Sequence, residues 1–171
     1  MTAMGEDRLT LHPHEDMAEA ADIAFQAFRD KWASLLPASA KIEHVGATAI
    51  PGCLSKGDLD VCIRISAVEF PEAERQLAAA YDRNTGSLRD ETFASFKDDM
   101  HAPPLGVQLV AQASELDVFV TFREVVRRDP QLVADYNELK KRFAGRAMDD
   151  YRAAKSAFIA DVLARTRAGD R

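Results

Sequence analysis

Glu43-His44-Val45-Gly46-Ala47-Thr48-Ala49-Ile50-Pro51-Gly52, followed a short way on by Asp58-Leu59-Asp60-Val61, is the stretch on which the reading of this chain turns. Residues 41–45 read as a short strand that delivers the chain into a turn of small residues. Residues 58–65 then alternate, with Leu59, Val61, Ile63 and Ile65 on one face of a second strand and Asp58, Asp60, Cys62 and Arg64 on the other. A glycine turn leaving a strand and entering a helix presents backbone N–H groups without intrahelical partners, and a phosphate can accept hydrogen bonds from them. Thr48 adds a hydroxyl to that pocket. Two aspartates one residue apart on a strand project in parallel, close enough to share a hard divalent cation such as Mg²⁺, which bridges carboxylates and phosphate oxygens. The expectation is an anion cradle at Gly46, Ala47 and Thr48 beside a seat where Asp58 and Asp60 act as metal ligands and catalytic carboxylates.

Working outward, apolar residues at Met17, Ala21, Ala24, Phe25, Phe28, Trp32 and Leu35 recur at helical spacing and predict a helix over 13–36, ended by Pro37. A second helix is expected over 71–81, a polar loop over 82–92, and a hairpin of strands 93–97 and 105–111 joined by a turn rich in Asp, His and Pro. Residues 115–128 carry both strand-like Val and Phe and a possible capping box at Ser114 and Asp117; we read them as helix. Two more helices follow, over 130–145 and 149–167. Residues 1–10 lack periodicity and are expected to form a loose arm, so the whole chain of 171 residues is read as one domain.

Lys plus Arg total 22 against 28 for Asp plus Glu, a formal charge of −6. That balance opposes non-specific attraction to a nucleic acid and points instead to a small molecule or a protein as partner. No apolar run is long enough to span a bilayer. The two cysteines, Cys53 and Cys62, form neither a CxxC pair nor a metal cluster, and no signal-peptide pattern opens the chain, so a cytoplasmic location is expected.

A glycine turn followed by Asp-x-Asp on the next strand is similar to the pattern of the nucleotidyltransferase superfamily. Residues 44–52 resemble more closely the His-Val/Ile-Gly-Ser-Thr-Ala-Val-Pro-Gly signature of the GrpB family, whose acidic pair falls where Asp58 and Asp60 stand. Downstream, Phe122-Arg123-Glu124, Asp129-Pro130, Tyr136-Asn137-Glu138-Leu139-Lys140 and Tyr151-Arg152-Ala153-Ala154-Lys155 are similar to further family motifs, in order. The resemblance implies an α/β (α+β) fold, a nucleotidyltransferase-like mixed sheet flanked by helices with a helical C-terminal part. Arg123, Lys140 and Lys155 match family positions and are expected either to converge on a phosphate together with His44, Gly46, Ala47 and Thr48, or to lie on helix surfaces or pair with Glu124, Asp135 or Asp149, with His44 making a structural hydrogen bond. The resemblance implies no particular reaction.

The chain departs from the pattern in two places. Ala47 stands where the family has serine, removing one hydroxyl donor. The strand 105–111 carries no acid, only Gln108, although a two-metal transfer centre needs a third carboxylate on a later strand; Glu91, Asp98, Asp99 and Asp117 are the acids that could supply one from elsewhere. Two functions are therefore expected in parallel. One is an Mg²⁺-dependent nucleotidyltransferase acting on a small molecule or protein. The other is a degenerate module that binds a nucleotide, another phosphorylated metabolite or a protein partner without transferring anything.

Overall fold

The computed structural model describes residues 7–169. A five-stranded mixed sheet forms the centre. β1 (Lys41–Val45) pairs antiparallel with β2 (Leu59–Ile65), and β2 runs parallel to β5 (Leu105–Ala111). β5 pairs antiparallel with β4 (Phe93–Asp98), and β4 with the two-residue β3 (Asp82–Arg83). The spatial order is β1-β2-β5-β4-β3.

The alternation expected of β2 decides how the two faces are covered. Leu59, Val61, Ile63 and Ile65 join Val107, Leu109 and Phe96 in a core sealed by α1 (His14–Trp32) and α2 (Phe70–Ala80), through Phe25, Phe28, Trp32, Phe70 and Leu77. Each such side chain, taken fully out of water, contributes about 1.5–3 kcal/mol. The opposite face carries Asp60, Cys62 and Arg64. There Val45, Cys62, Phe93 and Val110 pack beneath Phe119 of α3 (Phe119–Arg128). The rings of Phe93 and Phe119 stack with centroids 6.1 Å apart.

α3, α4 (Pro130–Phe143) and α5 (Met148–Gly169) form the helical C-terminal part. Asp129 caps α4 by accepting from the Gln131 N–H at 2.9 Å, and Pro130 occupies the first turn, where its missing donor does no harm. Phe122, Val126, Tyr136 and Val162 close this layer over Ile50 and Cys53. Asn137 ties α4 to the loop after the glycine turn: its Oδ1 accepts from the Leu54 N–H at 2.8 Å and its Nδ2 donates to the Gly52 carbonyl at 2.9 Å.

Four local expectations are corrected. α1 ends at Trp32, before Pro37, and the chain reaches Leu36 through tight turns, consistent with the bias against helix that proline imposes on its predecessor. Asp117 is not a helix cap: its carboxylate accepts from Arg64 and from the Ala113 N–H, and α3 starts only at Phe119. The polar loop contains β3, whose Arg83 lies over the Phe96 ring at 5.3 Å and reaches Glu74. Residues 7–10 are no loose arm, since Leu9 is buried and its N–H and carbonyl bond to Arg146 and Gly145; residues 1–6 lie outside the described residues.

Candidate functional site

The antiparallel register of β1 and β2 sets Val45 opposite Asp60, so Gly46 follows directly above that carboxylate. The turn itself is a single 3-10 turn, Ala47–Ala49, entered from Gly46 at φ 75° and ψ −174°. That backbone is open to glycine and closed to nearly everything else. It is also tight: a Cβ at residue 46 would run into Asp60 Oδ2. The parallel register with β5 sets Gly106 on the other side, where a Cβ would stand 3.0 Å from Asp60 Oδ1. Asp60 therefore lies flat between two glycines, at the floor of the site.

Two recesses meet at Asp60. The larger, about 570 Å³, is a cleft between the sheet and the helices α3 and α5. Its floor is Gly46, Asp60 and Gln108; Phe119, Phe122, Ile159 and Leu163 give it apolar walls; Lys155, Glu115 and Arg167 supply charge. The smaller, about 40 Å³, brings together Ala47, Asp58, Asp60, Lys56, Lys140 and Lys155. A pocket of this character, mostly apolar with a few convergent polar groups, is the common form of a small-molecule site.

The predicted residues thus fall into two groups. Gly46, Ala47, Asp58, Asp60, Lys140 and Lys155 converge on the recesses. His44, Thr48 and Arg123 do not line them. Thr48 is buried and donates to the Asp58 carbonyl at 3.1 Å, and its hydroxyl lies 2.9 Å from His44 Nε2. His44 stacks on Phe25 at 5.2 Å and stands 3.5 Å from Asp22. Burial is the main cause that holds its pKa below the usual histidine value, partly offset by Asp22. Arg123 donates to Glu43, Glu124 and the His44 carbonyl, pinning α3 to β1. These three residues hold the turn in place.

The two lysines differ in the same way. Lys140 is buried, donates to the Leu54 carbonyl at 2.6 Å and sits 3.8 Å from the Tyr136 ring centroid. Burial lowers its pKa to about 8. Lys155 has no hydrogen-bond or salt-bridge partner among the described residues and is half-buried in the walls of both recesses. Asp60 has its pKa raised by burial above all, against the pull of Lys155 and with a further upward push from Asp58. Asp58 is already paired with Lys56 at 2.9 Å.

The donor set suits a two-metal centre poorly. Among the described residues no His, Cys, Asp or Glu joins Asp58 and Asp60 to make a three-ligand cluster. The position beside Asp60 on β5 is Gly106, and the other acids are engaged elsewhere: Asp117 with Arg64, Asp99 with Lys97, Asp98 within its own turn, while Glu91 lies exposed. Two carboxylates could still serve one Mg²⁺ held largely by water and phosphate. Glu115, Ser156 and Arg167 were not anticipated as cleft residues. The row Lys155, Ile159, Leu163, Arg167, four apart on α5, is the signal that could have found that wall.

A family profile described as GrpB protein matches residues 15–165. The chain belongs to the GrpB family. A UPF0157 protein of Vibrio cholerae is 32% identical over 158 residues, 92% of this chain and 83% of that protein. The crystal structure of the conserved protein GrpB from Enterococcus faecalis superposes with a TM-score of 0.71 at 18% identity, over 90% of this chain and 94% of that one, so the GrpB fold is shared. A cytoplasmic RNA terminal U-transferase aligns over 67% of this chain and 41% of its own, at 12% identity and a TM-score of 0.36, a likeness too distant to carry an argument about GrpB chemistry. Among the described residues no helix is long and apolar enough to cross a membrane.

Proposed function

We propose that the chain is a metal-independent binding module for a phosphorylated small molecule, seated in the cleft with its phosphate against Lys155. The observation that carries this reading is the unequal fate of the three expected cations. Arg123 and Lys140 satisfy protein acceptors, and Lys155 alone of the three has none among the described residues while facing both recesses. The cleft's two acids, Asp60 and Glu115, face two bases, Lys155 and Arg167. With two acids already beside the two bases, each further phosphate charge is uncompensated, so a monophosphate suits this cleft better than a triphosphate. Gly106 in place of a third acid supports binding without transfer.

The test is calorimetry with nucleoside and sugar monophosphates in EDTA. Binding is expected without metal, and Lys155→Met should weaken it by about tenfold, the loss of roughly 1.4 kcal/mol. Unchanged affinity in that variant, or no binding of any monophosphate by the parent, removes the reading.

A second reading is Mg²⁺-dependent nucleotidyl transfer with Asp58 and Asp60 as the metal-holding pair. The recess that both carboxylates share with Ala47 and Lys155 favours it. It predicts affinity for nucleoside triphosphates that appears only with Mg²⁺ and is lost in Asp58→Asn. Triphosphate binding indifferent to Mg²⁺ would count against it.

A further inference from the structure

We infer that the cleft floor recognises a planar amide- or amidine-type edge, such as a nucleobase presents, in a niche opened by Gly106 between the carboxylate of Asp60 and the amide of Gln108. The inference rests on the reading of the cleft as a ligand site and names the part of the ligand that carries no phosphate.

The niche follows from sheet register. Parallel pairing sets Asp60 beside Gly106, and Gln108, two residues on, projects from the same face of β5. A Cβ at residue 106 would stand 3.0 Å from Asp60 Oδ1 and 3.9 Å from Gln108 Nε2. The space a side chain would take at residue 106 is thus bordered by the carboxylate on one side and the amide on the other, so a ligand edge lying over Gly106 faces both groups. Gly106 has no left-handed backbone that would demand glycine, so what the residue supplies here is room.

Both floor groups are available to a ligand. Neither the Asp60 carboxylate nor the Gln108 side chain has a hydrogen-bond partner among the described residues. Ser95, the register neighbour of Gln108 on β4, has a buried hydroxyl without a partner, so the polar strip continues across the same face of the sheet. Polar groups shielded by apolar walls interact weakly with water and strongly with a matched ligand edge.

The chemistry of the pair selects the partner. Gln108 offers a donor and Asp60 an acceptor side by side, which calls for a ligand carrying an acceptor next to a donor in one plane. Phe119, Phe122 and Leu163 supply the apolar cover that the faces of a ring would need. A sugar phosphate lacking a base fills the Lys155 end and leaves the niche empty.

Calorimetry in EDTA with adenosine 5′-monophosphate and ribose 5-phosphate separates the two claims. The nucleotide should bind the parent about tenfold more tightly than the sugar phosphate. Gly106→Ala, which fills the niche, should erase most of that advantage while leaving ribose 5-phosphate within about twofold; Gln108→Leu should act the same way. Circular dichroism and melting establish that each variant is folded, and Gln108→Leu decides the matter if Gly106→Ala does not fold. Equal affinity of the parent for both compounds, or nucleotide binding unchanged in the folded variants, overturns the niche while the phosphate reading stands. If Lys155→Met leaves ribose 5-phosphate binding untouched, it is the phosphate reading that fails.

Discussion

Replacing Gly46 by alanine should destabilise the protein in two separable ways. Its backbone, at φ 75° and ψ −174°, lies in a region held essentially by glycine, and forcing an L side chain there costs about 1–3 kcal/mol. The new Cβ also meets Asp60, whose Cβ and Cγ would stand 2.9 and 3.0 Å away. Overpacking of that kind costs a further ~1–3 kcal/mol. The sum, about 2–6 kcal/mol, is a large share of the ~5–15 kcal/mol that holds an ordinary domain together. With a urea slope of about 2 kcal/mol/M, the unfolding midpoint should fall by about 1–3 M. A double-mutant cycle with Asp60→Ala tests the steric part. Alanine at residue 60 keeps the Cβ at 2.9 Å, so the cycle reports the share of the clash that the carboxylate itself causes, a coupling of about 1–2 kcal/mol. A Gly46→Ala protein within about 0.5 kcal/mol of the parent, or the same cost in both backgrounds, would refute the account of the turn.

Asp60→Asn should raise stability at neutral pH. The native state holds the Asp60 proton more readily than the unfolded chain, so this group's contribution is fullest below the unfolded carboxyl value and falls as pH rises through the folded one. A gain of roughly 1 kcal/mol, about 2–4 °C in melting temperature, should be seen at pH 7 and be absent near pH 4. Lys140, with a folded pKa of about 8, is depressed below its unfolded value, so this residue's contribution to stability should climb by about 2 kcal/mol between pH 7.5 and about 9.5. Urea midpoints at the two pH values should show that climb as the difference between the parent and Lys140→Met. Asn137→Ala removes the two bonds that join α4 to Leu54 and Gly52, and chemical denaturation should register a loss of about 2 kcal/mol, ~1 kcal/mol for each bond.

The face that Asp60 shares with Cys62 and Arg64 was legible because a strand's period of two is written in consecutive residues. The glycine turn was legible for a similar reason: its small residues sit together. What the sequence could not disclose depends on pairings made over long separations. Gly106 meets Asp60 only through the parallel register of β2 and β5, which no local pattern encodes. Arg123 reads as a phosphate ligand or a partner of an acid such as Glu124, which it does meet, but its bond to Glu43, 80 residues away, exists only once the chain is folded. Lys140 reads the same way until α4 carries it beneath Leu54. Asp117 satisfied the spacing of a capping box, and a bidentate pair with Arg64 took the carboxylate instead.

Tyr136 joins the architecture of the cleft to its chemistry. Its ring stacks on Phe158 of α5 at 5.1 Å, meets Phe122 of α3 edge-on at 5.8 Å, carries the Lys140 ammonium and still borders both recesses. The wall common to both recesses is accordingly held by an aromatic knot and not by the charged side chains of the cleft. Drift within that knot could retune the choice of guest while every anchoring side chain stayed the same, so selectivity here can evolve from the hydrophobic interior outward.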